Sequence, residues 1–195
     1  MVKKNSGDKL VGILSDTHDN LPLIDEAVKQ LNQYGVGTVL HAGDYISPFT
    51  VSHFKPLKAK IIGVYGNNCA ERGLLKKLFK EIDGDLRGFF AAVSLDGVKI
   101  ALLHGHDEEL LNASINSCSY DVVVHGHTHQ VNTQQVGNTL VINPGEVCGY
   151  LTGKSTMAIL DLQTRKVVVV RISQGRNSHR PASESFESRV KSVPV

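Results

Sequence analysis

The chain has 195 residues, 41% hydrophobic and 21% charged, which is enough for one buried core and too few to require two. Its net charge of +2 belongs to its end: residues 174–195 carry four basic and two acidic side chains, and the remainder balances at 17 of each sign. That balance argues against a nucleic-acid-binding surface, and no apolar run reaches the length of a membrane span.

Strand and helix signals alternate through the first half. Leu10–Leu14 reads as a strand, and Leu21–Tyr34 as an amphipathic helix with Leu23, Ala27, Leu31 and Tyr34 on one face. Residues 36–40 form the next strand, Pro48–Phe54 a short helix, residues 59–65 a third strand and residues 74–81 another helix. This rhythm predicts parallel pairing with right-handed crossovers. Asp19 and Asn20 are expected to cap the first helix.

From Phe89 the pattern changes. Residues 90–95 and 98–103 flank Asp96-Gly97, a two-residue hairpin signal. A helix over residues 108–117 leads to a strand at Val122–Val124, then to short strands at 131–136 and 140–142 and a second hairpin-like pair at 156–160 and 167–172. The expected fold is α/β, a four-layer αββα sandwich of two mixed sheets flanked by helices. Residues 1–173 form its single domain, and 174–195 a polar, flexible tail rich in Ser, Arg, Asn and Pro. An exposed hairpin edge could pair across a two-fold axis, so a homo-oligomer stays open. Met1 to Asp8 lacks the apolar core of a signal peptide, and Cys69, Cys118 and Cys148 show no CxxC spacing. A reducing, cytoplasmic setting is therefore expected.

Five short clusters of donor residues each follow a strand-like run. They hold Asp16 and His18 in Ser-Asp-Thr-His, Asp44 in Gly-Asp, Asn67 in Gly-Asn-Asn, His104 in His-Gly-His, and His127 and His129 in Gly-His-Thr-His. Strands that stop together deliver their next residues to one sheet edge, where open α/β proteins bind ligands. Two carboxylates, one amide and four imidazoles can therefore meet as a site for two metal ions. Singly, the clusters are weak signals: an Asp after a strand can cap a helix, and an isolated Asp-x-His is usually incidental. Alternate imidazoles after a buried strand have little structural use, and the joint occurrence decides. Mixed imidazole and carboxylate donors suit Mn²⁺, Ni²⁺, Fe²⁺ or Zn²⁺ better than Mg²⁺ or Ca²⁺. Two such ions can acidify a bridging water into a nucleophile.

From Leu10 to Ile172 the order DxH, GD, GNN, HGH, GHTH resembles the calcineurin-like metallophosphoesterases, specifically their small single-domain prokaryotic phosphodiesterase branch. Asn143-Pro144-Gly145-Glu146 and Cys148-Gly149-Tyr150 share in the likeness. The resemblance implies that Asp16, His18 and His129 hold one ion, that Asn67, His104 and His127 hold the other, and that Asp44 bridges them. It implies two divalent ions, Mn²⁺ first, and a phosphodiester cleaved by a metal-bridging hydroxide. The substrate would be a small molecule or a nucleotide.

Charge favours diesters. Two dications against two aspartates and a hydroxide leave one positive charge, which a diester neutralises and a dianionic monoester exceeds; no Arg or Lys lies inside the motifs. Asn67 and Asn68 are the catalytic candidates beside the metals. Asn67 can bind metal and touch a phosphate oxygen. Asn68 stands where many relatives carry a proton-donating His, and an amide cannot deliver a proton. Cys69 replaces an Asp common in close relatives.

His41 and His125 read as packed or hydrogen-bonded, His53 and His179 as surface residues, and His106 as a neighbour that lines the site. Glu146 and Cys148 sit on a loop bordering the metals, either supporting them or purely structural. The competing reading is a protein-binding scaffold on the same fold, as in the retromer relatives of the family. Against it, all seven ligand positions carry donors. Metal storage is disfavoured because storage sites are usually closed by protein ligands.

Overall fold

The computed structural model describes residues 9–173, so the expectations for the N-terminal segment, the 174–195 tail and His179 lie outside the described residues. In chain order the elements are β1 (Leu10–Leu14), α1 (Leu21–Tyr34), β2 (Thr38–His41), a 3₁₀ turn (Pro48–Thr50) running into α2 (Val51–Phe54), β3 (Lys60–Gly63), α3 (Arg72–Glu81) and β4 (Asp85–Leu86). The hairpin β5 (Phe90–Leu95) and β6 (Val98–Leu103) follows, then α4 (Glu108–Asn116), β7 (Val122–Val124), β8 (Val131–Val136), β9 (Thr139–Pro144), β10 (Thr156–Asp161) and β11 (Val167–Arg171).

They build two mixed sheets, β11-β10-β1-β2-β3-β4 and β5-β6-β7-β9-β8. Strands β1, β2, β3 and β4 run parallel, as do β6, β7 and β9; the hairpins β5–β6, β8–β9 and β10–β11 supply antiparallel pairs, and β10 returns to pair antiparallel with β1. Period-two alternation divides the apolar side chains between layers. Val11, Ile13, Leu40, Ile62 and Leu160 of one sheet meet Ile100, Leu102, Val122, Val124 and Ile142 of the other in a central core. The alternate residues Leu14, Val39, Ile61, Met157 and Ile159 pack under Leu31 of α1, Phe54 of α2 and Phe79 of α3. On the far side, Ala101, Leu103 and Val123 are covered by Leu110, Leu111 and Ile115 of α4. Four layers, αββα, result.

One element escapes the sequence pattern, and one expectation needs correction. The two-residue strand β4 carries too little sequence for a period to show, and it exists by pairing with β3. Neither Asp19 nor Asn20 caps α1 through its side chain, although Asn20 occupies the N-cap position. Asn20 instead donates to the Cys148 carbonyl at 2.8 Å, and Asp19 Oδ1 accepts the Ser47 amide at 3.1 Å and the Thr50 hydroxyl. Both side chains tie neighbouring strand exits together, a tertiary use that outcompetes the local one.

Candidate metal centre

All five donor clusters lie at the C-terminal ends of parallel strands. Asp16 and His18 follow β1, Asp44 follows β2, Asn67 follows β3, His104 follows β6, and His127 and His129 follow β7. Backbone hydrogen bonds lash the exits together. The Asp16 amide donates to Gly43 O at 3.1 Å, the His18 amide to Asp44 O at 3.1 Å, and the Cys148 amide to Asp16 O at 3.0 Å. Across the sheets, the His127 amide donates to Asp16 Oδ2 at 3.1 Å.

Glycine makes this approach possible. A Cβ on Gly66 would meet the Asp44 amide at 2.6 Å, and one on Gly126 would meet Asp16 Oδ2 at 2.6 Å. The backbone is bent as well: Asp16, His18, Asp44, His127 and His129 all have φ between 40° and 68°. That left-handed region is uncommon for side chains other than Gly, and such residues concentrate at functional sites.

The donor atoms converge. His104 Nε2 lies 3.3 Å from Asp44 Oδ2, His18 Nε2 3.5 Å from the same oxygen, and His129 Nε2 3.4 Å from Asp16 Oδ1. Ligands about 2.1 Å from one ion sit about 3.0–3.4 Å from each other, so these spacings suit a shared cation. One donor atom each from Asp16, Asp44 and His104 fall within 4.8 Å of one another, and so do those of His18, His129 and Cys148. Asp16 Oδ1, His18 Nε2 and His104 Nε2 are buried with no hydrogen-bond partner. Leaving a buried polar atom unpaired costs about 1–3 kcal/mol, and three facing one place are accounted for by a cation. The donor set therefore fits divalent metal.

Supporting contacts aim these atoms. The Ala42 carbonyl lies 2.8 Å from His104 Nδ1, which leaves Nε2 to face Asp44. Asn68 donates twice to Asp44, from its backbone amide to Oδ1 at 2.8 Å and from its side-chain amide to Oδ2 at 2.8 Å. Burial alone would raise the Asp44 pKa, but the adjacent His104 imidazole and the Asn68 amides outweigh it and hold the carboxyl well below the usual range. Asn67 and His127 are exposed; the His127 ring lies 5.2 Å from that of His104.

Glu146 is the residue whose role the chain pattern left open. It is fully buried, and its Oε2 lies 2.7 Å from His129 Nδ1. The Thr152 amide and hydroxyl bind Oε1 at 2.6 and 2.7 Å. Burial pushes its pKa up, yet hydrogen bonds from Cys148, His129 and Thr152 prevail and set it at about 2. Asn143 similarly holds the Gly126 carbonyl at 2.9 Å and the Thr128 hydroxyl at 3.0 Å. The sequence signal for both was a polar Asn-Pro-Gly-Glu following a buried strand. The Cys148 thiol donates to Glu146 at 2.9 Å, and burial followed by that carboxylate drives its pKa up. Cys69 accepts the Gly66 amide at 3.1 Å and shapes the Asn67 turn.

The remaining histidines stand outside the donor set for different reasons. His41 is buried, accepts the Gly43 amide at 3.1 Å and stacks on Tyr45 at 4.0 Å between ring centres. Burial lowers its pKa to about 3, so it is neutral. His125 is buried beside the Gly126 carbonyl. His53 pairs with Asp25 at 2.7 Å, away from the donors. His106 is exposed, with its ring 5.5 Å from that of His104.

The family model for the calcineurin-like phosphoesterase superfamily domain matches residues 10–165. A phosphodiesterase of Methanocaldococcus jannaschii is 45% identical over 157 residues, spanning 80% of this chain and 95% of that protein. The solved structure of an archaeal phosphodiesterase superposes with a TM-score of 0.80 at 44% identity, covering 83% of this chain and 99% of the other. Vps29 of Chaetomium thermophilum shares the fold alone, with a TM-score of 0.64 at 17% identity over 86% of this chain and 97% of its own.

Proposed function

Because this chain belongs to the calcineurin-like phosphoesterase superfamily, we propose that its sheet-edge cluster is the centre of a dinuclear metal-dependent phosphodiesterase. One observation carries the reading: Asp16 Oδ1, His18 Nε2 and His104 Nε2 are buried without partners around the two aspartates. Asp16, His18 and His129 would hold one ion, Asn67, His104 and His127 the other, with Asp44 shared, since a carboxylate has two oxygens and a neutral imidazole one lone pair. The chemistry that two divalent ions would supply there is phosphate binding, acidification of a water and neutralisation of charge developing at phosphorus.

The protein's own contribution is orientation. Glu146 and the Ala42 carbonyl occupy the Nδ1 atoms of His129 and His104 and turn both Nε2 lone pairs inward. Asn68 fixes the plane of Asp44 and keeps it ionised. Asn67, exposed on the turn after β3, would reach a phosphate oxygen as well as a metal. The scaffold reading has the fold in its favour but offers no use for buried, unpartnered donors. We read residues 1–173 as the catalytic domain. No helix among the described residues is long and apolar enough to cross a membrane, and three free cysteines suit a cytoplasmic site of action.

The test is chelation followed by reloading with Mn²⁺, Ni²⁺, Fe²⁺ or Zn²⁺ singly, assayed on bis(p-nitrophenyl) phosphate and p-nitrophenyl phosphate. Expected are two ions bound per chain, turnover only after reloading, and faster cleavage of the diester. Metal-free turnover, or a faster monoester, would refute the proposal.

A further inference from the structure

Beside the donor cluster stands a wall of flat groups that metal binding does not require. Arg72 opens α3, and its guanidinium carbon lies 4.6 Å from the Phe89 ring centre and 5.8 Å from that of Tyr65. Tyr65 is buried, meets Phe89 edge-on at 5.7 Å, and donates its hydroxyl to the Arg72 carbonyl at 3.0 Å. The Phe89 ring also meets His106 at 6.0 Å. His106 in turn lies 5.5 Å from His104 and 6.2 Å from His127, ring centre to ring centre. The wall thus runs without a break from α3 to two proposed ligands.

Three features make it a recognition surface rather than core. Phe89 is 42% exposed, and Arg72 and His106 are exposed too. Arg87 and Arg165 each pair with an aspartate, whereas Arg72 has no carboxylate partner among the described residues. Finally, Tyr65 holds the Arg72 backbone from below, so the guanidinium is presented on a fixed base. Flat π faces and a guanidinium plane are the surfaces on which nucleobases stack.

We propose that Arg72 and Phe89, backed by Tyr65 and flanked by His106, receive the base of a nucleoside phosphodiester. This rests on the phosphodiesterase reading and narrows its substrate class. The base lies against the guanidinium, which the Phe89 ring backs, while the phosphate lies over the donor cluster. An unpaired cation there also draws in an anionic substrate. Lipid and simple glycerol diesters lack a flat group and gain nothing from this wall.

Two ratios test it on the manganese-loaded enzyme. The first compares binding of AMP with ribose 5-phosphate by calorimetry, which isolates the base and needs no turnover. The second compares kcat/KM for thymidine 5′-(p-nitrophenyl phosphate) with that for methyl p-nitrophenyl phosphate, which share a leaving group. Both ratios are expected to favour the nucleoside about tenfold. They should fall towards one in Phe89→Ala and Arg72→Ala, with the loss mainly in KM, and Phe89→Tyr should restore them. Phe49→Ala, which removes another exposed phenyl (80% exposed), should leave both ratios intact. Equal binding of AMP and ribose 5-phosphate by the folded wild type overturns the proposal, as does a ratio indifferent to Phe89→Ala or abolished by Phe49→Ala. If AMP binds preferentially through Phe89 but neither ester is cleaved, the wall stands and the hydrolase reading falls.

Discussion

Glu146 Oε2 lies 2.7 Å from His129 Nδ1, and the same oxygen accepts the Cys148 thiol at 2.9 Å and the Tyr150 amide at 3.0 Å. One buried carboxylate thus organises the loop after β9 and turns an imidazole towards Asp16. Glu146→Gln keeps the shape but makes the contact to His129 neutral. Metal affinity is expected to drop about 10–100-fold, read by calorimetry on the chelated protein. An unaltered affinity would mean that His129 is held by its backbone alone.

Asp44 is the shared carboxylate of the proposed pair. Asp44→Asn should reduce bound metal to one ion or fewer per chain, measured by elemental analysis after dialysis. Activity should fall on the order of 10³-fold or more, because a two-ion mechanism loses both nucleophile and charge neutralisation. Two ions retained with near-normal turnover would remove Asp44 from that role.

Asn68 gives both its amides to Asp44, a partnership that its place in Gly-Asn-Asn did not reveal. If it positions Asp44, Asn68→Ala should weaken metal binding by about 1 kcal/mol, the worth of one hydrogen bond. The rate ratio between nitrophenyl and alkyl leaving groups should not move. A shifted ratio would instead place the amide against the leaving oxygen. Asn68→His supplies a proton donor and should favour alkyl esters.

Gly126 stands where a methyl group would strike Asp16 Oδ2 and the Ser15 hydroxyl. Gly126→Ala should destabilise the fold by about 1–3 kcal/mol, the usual cost of overpacking, and weaken metal binding as well. Thermal melts with and without metal separate the two effects.

His41 predicts a pH dependence. Its folded pKa is about 3, below its ordinary 6.5, because burial disfavours the charged form. Between those values the unfolded chain binds the extra proton, so stability is full above pH 6.5 and declines as pH falls towards 3. The slope from this group is at most about 1.4 kcal/mol per pH unit. In metal-free protein, His41→Asn, which can still accept the Gly43 amide, should show a shallower decline in denaturant midpoint from pH 7 to pH 5. Parallel profiles would contradict the buried neutral state.

Much of the fold was legible because its cause is local. The alternation that places Val11 and Ile13 on one face and Leu14 on the other is written in neighbouring residues, and Asp96-Gly97 announces its hairpin. The donors were legible because they stand directly after apolar runs, and strand ends share an edge. Partnerships were not. That Asn68 serves Asp44, that Asp19 serves Ser47 and Thr50, and that Glu146 serves His129 depends on which exits lie side by side. The sequence by itself therefore determined the layer architecture and the chemistry of the donor set. Only the tertiary structure decided which hydrogen bonds aim those donors, and that Arg72 and Phe89 stand beside them. Periodicity and composition act over a few residues, whereas orientation is set by contacts between segments remote along the chain.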